Sequence, residues 1–392
     1  MRPLPLLGSL AAAEKIARRF LGAICIAVLC GILVAGLWPF HSPRNGVTWL
    51  AGEDGLRFAY PGTVVSEGEF HVADALESSC SIEVWVQPAL VHDSSTLLAF
   101  HTARNPVQLA LRQSLTDLEV RRSVAHNPDG RGTEHFYVDA FRSPRPVFLT
   151  ISSGARGTAA YIDGVLVRAA PRFRIPAGDC TGRLVVATSP VEDNAWTGRL
   201  RGLAIYHGEL TAAQAARHYQ TWTGKGRPEP TAEERCVALY LFDERAGNLI
   251  HNRIPAVPAL LIPERYRIED QAFLMPFWEG FDLPDILENI AAFVPLGFLF
   301  CAWLSLRPSA RRTALIVTVL GGLVSLTMEV LQAHLPTRHS DTTDIITDTF
   351  GTWVGVMLYR YVAAWGLLGK RKWRDTDGAD GRRRPRGFES VG

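Results

Sequence analysis

Four apolar, nearly uncharged segments constrain this chain more than anything else in it: 20–39, 286–306, 314–332 and 345–367. Each is close to the ~20 residues that a helix needs to cross a bilayer. The third and fourth carry acids near their ends and are less purely apolar than the first. Between the first and second runs a polar stretch, 41–280, with no further candidate span. The pattern reads as a multi-pass membrane protein with one large soluble region. The net charge of +2 averages over these unlike parts and selects no partner.

Basic residues beside the spans set the expected orientation. Lys15, Arg18 and Arg19 precede the first segment, and Arg307, Arg311 and Arg312 fill the connection between the second and third. Lys370, Arg371, Lys372, Arg374 and the run Arg382 to Arg386 follow the fourth. In a four-span arrangement all three clusters share one side, the cytoplasmic one, with both termini; the soluble region is then extracytoplasmic. The first segment has a second reading, a secretory signal, because it too has a basic start and an apolar core. The run continues to Trp38-Pro39-Phe40 and offers only Val34-Ala35-Gly36 as a cleavage site, which favours an uncleaved anchor. The basic tail suits anionic lipid; a nucleic-acid partner is not expected.

From about 55 to 245, short alternating segments are divided by turn residues. In "CSIEVWVQPAL" (80–90), Ile82, Val84 and Val86 alternate with Glu83, Trp85 and Gln87, a strand with one buried face. "FLTISSGARGTAAYIDGVLVRA" (148–169) holds two hairpin signals, the segment 154–157 and the pair Asp163-Gly164. Strands also fit 182–190, 198–210 and 237–247, and a helix capped by Thr211 fits 211–222. Many strands at this spacing predict a β-sandwich. Trp85, Trp196 and Trp222 serve equally as core, rim or sugar platform. Of the cysteines outside the spans, Cys80, Cys180 and Cys236, at least one is unpaired; a bridge, if formed, is expected between Cys80 and Cys180.

"SIEVWVQP", "AAYIDGVLV" and "GRLRGLAIYHGELTAAQAARHY" resemble strands and the closing helix of the concanavalin A-like (laminin-G-like) jelly-roll family. "LYLFDERAGNLIHN" resembles that family's opening motif but comes last here, which leaves the pairing of the end strands open. The resemblance implies a domain that binds carbohydrate, protein or calcium, or that serves as a spacer.

The stretch 328–351, "MEVLQAHLPTRHSDTTDIITDTFG", gathers ionisable groups between two spans. Glu329 and Gln332 lie one turn apart at the end of the third. Asp341, Asp344 and Asp348 follow at i, i+3 and i+7, on one face of a helix. Charges at membrane depth are costly and should face protein or water. Arg338 is the expected carboxylate partner, with His334 and His339 nearby. Two readings stand: an ion-pair cluster that locks the helices, or a polar pocket for a cation, a proton or a phosphate-bearing headgroup. Calcium is an admissible ligand, but no spacing fixes a metal geometry.

"DILENIAAFVPLGFLF" (285–300) and "SLTMEVLQAHLPTRHSDTTDIITDTFGTWVG" (325–355) resemble the VanZ-like family of small bacterial membrane proteins. The family's polar positions fall on Asn289, Glu329, Gln332, Arg338, Asp341, Asp344 and Asp348, with Asp348 standing where the family usually has Asn. The resemblance implies the bacterial inner or cytoplasmic membrane, and no reaction.

The expected organisation is a cytoplasmic N-terminus (1–19), helix one (20–40), an extracytoplasmic sandwich (45–250), a linker (251–284), VanZ-like helices two to four (285–367) and a basic cytoplasmic tail (368–392). A four-helix transmembrane bundle thus carries an all-β jelly roll between its first two spans. Such a protein would touch membrane lipid and an envelope glycan, a lipid-linked precursor or an envelope protein. Three functions are compatible: a binding module, an enzyme acting on a lipid-linked envelope intermediate, or a structural tether. The sequence has no nucleophile elbow, HExxH or P-loop, which weighs against the enzyme.

Overall fold

The computed structural model describes residues 6–71, 79–126, 130–225, 227–255, 257–271, 273–274, 283–306, 312–338 and 340–380. Arg307, Arg311, His339 and the run Arg382 to Arg386, all used in the sequence reading, lie outside the described residues. The chain forms two compact units. One comprises the long helices; the other comprises Pro39–Ala272 with Leu335–His339. Helix α1 (Leu6–Leu37) opens the chain and belongs to the first.

The second unit is a sandwich of two eight-stranded sheets whose ladders are antiparallel. The first sheet runs β1 (Val47–Trp49), β2 (Leu56–Phe58), β13 (Gly198–His207), β4 (Cys80–Pro88), β9 (Val147–Gly154), β10 (Gly157–Ile162), β11 (Val165–Ala170). Strand β14 (Cys236–Tyr240) pairs with the later part of β13, and β2 with its start. The second sheet runs β15 (Leu249–Ile250), β16 (Leu260–Leu261), β3 (Val64–Ser66), β12 (Arg183–Val186), β5 (Asp93–Thr102), β6 (Asn105–Leu115), β7 (Asp117–His126), β8 (Gly130–Asp139). Residues from 251 onward, read from sequence as linker, thus supply β16, and Tyr266 is fully buried.

Both hairpin signals fold as turns. Gly154 pairs with Gly157, and Asp163-Gly164 joins β10 to β11 with both residues at positive φ (52° and 77°). That left-handed pair matches the twist of the flanking strands. Inner faces interlock: Ile82, Val84 and Val86 of β4 meet Leu98, Phe100, Leu109 and Leu111 of the facing sheet, all buried. Each such side chain contributes ~1.5–3 kcal/mol of burial. Cys80 and Cys180 are bonded, closing a separation of 100 residues.

The outer face of β4 departs from the sequence expectation. Glu83 should be exposed by period two, yet its exposure is 0%. Helix α2 (Ala212–Lys225) lies over this end of the sheet and makes a second small core from Phe148, Ala204, Tyr206, Leu210, Trp222 and Leu239. Trp222 rests where Gly202 has no side chain; a Cβ there would meet the indole at 1.4 Å.

In the helical unit, α3 (Leu283–Ser305), α4 (Thr313–Gln332) and α5 (Thr342–Asp380) pack together, with α1 against α3 and α4. Among the described residues three helices are long and apolar enough to cross a membrane: Lys15–Leu37, Leu283–Ser305 and Thr313–Gln332. Polar side chains, Asp344 and Asp348 among them, make α5 less apolar than these three. The seam between α3 and α5 is built on small residues. A Cβ on Gly351 would meet the Ile290 carbonyl oxygen at 2.4 Å, and one on Gly355 the Val294 carbonyl oxygen at 2.1 Å. This Gly-x-x-x-Gly spacing lets two backbones touch.

Candidate functional sites on the helices and the sandwich

Within the helical unit the structure gathers most of the polar residues singled out above. Asn289 on α3 donates from Nδ2 to Asp344 Oδ1 on α5 at 2.8 Å. Ser325 on α4 donates to Asp348 Oδ2 at 2.8 Å. Glu329 is buried at the end of α4 and accepts the Asp341 backbone N–H at 2.7 Å. Gln332 donates to the Gly36 carbonyl of α1 at 2.9 Å. Polar side chains therefore tie α3, α4 and α5 to one another, and α4 to α1.

Asp341 does not share a helical face with Asp344 and Asp348. It precedes α5, and its Oδ1 accepts the Thr343 N–H at 2.8 Å, satisfying a first-turn donor. Arg338 lies in the short segment 335–339 that groups with the sandwich, and its carbonyl accepts from Gln271 Nε2 at 2.5 Å. Asp348 is 3% exposed, and its Oδ1 has no hydrogen-bond partner among the described residues. Among those residues no group of three or more His, Cys, Asp or Glu side chains is placed to hold a metal ion.

The sandwich carries two polar arrangements on the outer face of the first sheet. Under α2, His218 (1% exposed) stands between two carboxylates. Nδ1 lies 2.9 Å from Glu83 Oε2, and Nε2 lies 3.1 Å from Glu234 Oε1. Carboxylates at both nitrogens require two N–H donors, hence an imidazolium. Burial opposes that charge, but the hydrogen bond and charge of Glu83 and the charge of Glu234 outweigh it and raise the His218 pKa. Burial likewise opposes the Glu234 charge; the Thr231 N–H, His218 and Arg217 win and lower its pKa. Thr150 and Tyr206 donate to Glu83 at 3.0 and 2.9 Å.

Beyond α2 the same face is open and forms a cleft of about 510 Å³, lined by Arg57, Tyr60, Gln87, Pro144, Thr197 and Arg199 among others. Strand register sets Arg57 directly opposite Arg199, and Arg199 opposite Gln87. Next along the face, Arg201 lies over the Trp85 ring at 5.5 Å and donates to Glu53 at 2.7 Å. Trp196 and Trp222 are core residues, not platforms: both are buried, and Trp196 Nε1 donates to Gln113 Oε1 at 3.0 Å.

Residues 236–364 match the VanZ/LLP1 family model, and residues 65–216 match the concanavalin A-like lectin/glucanases superfamily. The chain combines a VanZ-like region with a concanavalin A-like domain. The VanZ-like match begins at β14 and so includes part of the chain that folds with the sandwich. No curated protein matches the sequence closely enough to count as a relative.

Similar solved structures cover about half of the chain or less. A protein from Bacteroides ovatus, provisionally assigned as carbohydrate binding, is 13% identical with a TM-score of 0.39, covering 54% of this chain and 59% of its own. The binding domain of botulinum neurotoxin DC, solved with rat synaptotagmin II, is 14% identical with a TM-score of 0.31, over 45% and 46%. The native heptameric SAP-like pentraxin of Limulus polyphemus is 12% identical with a TM-score of 0.29, over 45% and 79%. The chain spans about 59% of the first of these.

The concanavalin A-like domain's buried triad and open cleft both escaped sequence reasoning. A signal existed for the first: Glu83 beside Trp85 on one face of its strand, and His218 four residues before Trp222 in the expected helix.

Proposed function

We propose that this chain is a cell-envelope membrane protein whose VanZ-like helices hold a polar site open to the outer face and whose concanavalin A-like domain binds an extracytoplasmic glycan. Support for the membrane half comes from Asp348. An acid with an unpartnered oxygen, buried among apolar helices, is expensive as a bare anion. It is more readily kept where a proton or cation can reach it; Ser325 donates to its other oxygen, and Asp344, paired with Asn289, lies one turn away on α5. Support for the glycan comes from the open cleft on the sandwich, since small-ligand sites are concave and carry a few placed polar groups. The proposed site comprises Asn289, Glu329, Gln332, Asp341, Asp344 and Asp348, with Arg338 as a further candidate. The basic clusters support a topology with both termini in the cytoplasm and the sandwich outside.

The test is a thermal-shift series on detergent-purified wild type and Asp344→Asn. Calcium, magnesium, protons, a lipid-linked wall precursor and wall oligosaccharides are the titrants. A ligand that stabilises the wild type and not the variant makes the acids a binding site. No ligand shift, with a large loss of stability in the variant, makes them a helix lock and removes the site from the proposal.

A further inference from the structure

The open half of the first sheet's outer face has an arrangement that stability alone does not explain. Arg57 and Arg199 are exposed and directly opposed across an antiparallel pair. Like charges in that relation destabilise a sheet. Among the described residues Arg57 has no ion-pair partner. Arg199 reaches Glu53 only at 3.4 Å, and Glu53 is held more closely by Arg201 at 2.7 Å. Two guanidinium groups, Arg199 and Arg201, therefore share one carboxylate at the edge of the cleft, and Arg57 is left outside that pair.

The other lining groups suit a sugar. Tyr60 is 60% exposed, yet its hydroxyl is fixed by donating to Asp193 at 2.6 Å, and burial together with Asp193 pushes its pKa up to about 12. The ring is thus a neutral, positioned apolar surface of the kind that packs against a pyranose face. Gln87 is anchored by donating from Nε2 to the Pro144 carbonyl at 2.9 Å, and its Oε1 is the acceptor it can offer a ligand hydroxyl. About 510 Å³ is room for a short oligosaccharide.

We infer that this cleft binds an acidic saccharide, one carrying a carboxylate or phosphate group, with Arg57 and Arg199 gripping the acid and Tyr60 and Gln87 holding the sugar. This deepens the glycan-binding reading and rests on it. Guanidinium forks bind carboxylate and phosphate bidentately, so the two acids share one chemistry here.

The experiment is calorimetric titration of the full chain in detergent with four probes: tri-galacturonate, its methyl ester, a glycerol phosphate trimer bearing glucose, and inorganic phosphate. Wild type, Arg57→Gln and Arg199→Gln are compared, with thermal melts as a fold check. The expected result is binding of one acidic saccharide, about tenfold weaker in each variant. The methyl ester should bind at least about tenfold more weakly, and the variants should melt no lower than wild type because a repulsion has gone. Whichever acidic saccharide binds names the acid. Equal binding of acid and ester, unaffected by the variants, keeps the glycan reading and overturns the acidic one. No saccharide binding at all overturns both. Binding of inorganic phosphate as tightly as either saccharide makes this an ion site and also overturns the inference.

Discussion

Asp348 and the cysteine pair show how single residues set what can be measured. Asn at position 348 would keep the acceptor that meets Ser325 and remove the need to house a charge in a buried position. Asp348→Asn is therefore expected to leave the melting temperature of the purified protein unchanged or raised by a few degrees, while abolishing any stabilisation by added cation or proton. Differential scanning fluorimetry reads both, and a large fall in melting temperature would show that the charge is structural. The Cys80–Cys180 bond is expected to matter more for stability. It closes a separation of 100 residues, for which chain-entropy arguments give about 4–5 kcal/mol. Cys80→Ala with Cys180→Ala should lower sandwich stability by about 2–5 kcal/mol in a tryptophan-fluorescence denaturation. An unchanged midpoint would mean that the sheets alone fix this edge.

At the level of elements, α2 is clamped to the sheet by charge as well as by apolar packing. His218 has a raised pKa in the folded state, so its contribution is complete below the unfolded imidazole value and is lost as pH rises through the folded one. Glu234 has a lowered pKa, so its contribution is lost as pH falls through its folded value. The sandwich should be most stable between those limits, at mildly acidic pH, and weaken on either side. His218→Ala leaves Glu83 and Glu234 buried without their shared cation. It should cost about 3–5 kcal/mol and flatten the alkaline arm of the pH–stability curve. Urea titrations from pH 4 to 9 would show it; an unchanged curve would refute the clamp. The sequence disclosed the strand, the hairpins and α2 because each is a local pattern. It did not disclose that Glu83 and His218, 135 residues apart, meet beneath that helix. Period two predicts alternation, not which solvent-side residues a later helix covers. The same limit hid the Arg57–Arg199 opposition, which depends on the register of β2 against β13. On the helices, spacing suggested one face for Asp341, Asp344 and Asp348, but helix start points are set by capping, and Asp341 is used for that.

At the scale of the molecule, α1, α3 and α4 are apolar enough to cross the bilayer, and a crossing by α5 must rest on its packing. Asp348 lies six residues into α5, about 9 Å along it, and a carboxylate at that depth is costly in lipid. The packing supplies the compensation. Asp344 and Asp348 turn to Asn289 and Ser325 on neighbouring helices, and Gly351 and Gly355 bring α5 into backbone contact with α3. A helix held by such partners can span without being uniformly apolar. Reporter fusions that are active only outside the cell test this. Fusions after residue 229 and after residue 334 should be active, and fusions after residues 310 and 368 inactive. Sites 334 and 368 decide the matter, because they bracket the apolar part of α5: opposite sides mean that it crosses. If residues 334 and 368 report the same side, α5 lies along the surface and the chain has three spans. Gly355→Val sharpens the argument. Its side chain would collide with the Val294 carbonyl, so it should separate α5 from α3. If partnership rather than apolarity keeps α5 in the membrane, that substitution alone should make the residue-368 fusion active in a measurable fraction of molecules while the residue-229 fusion stays unchanged.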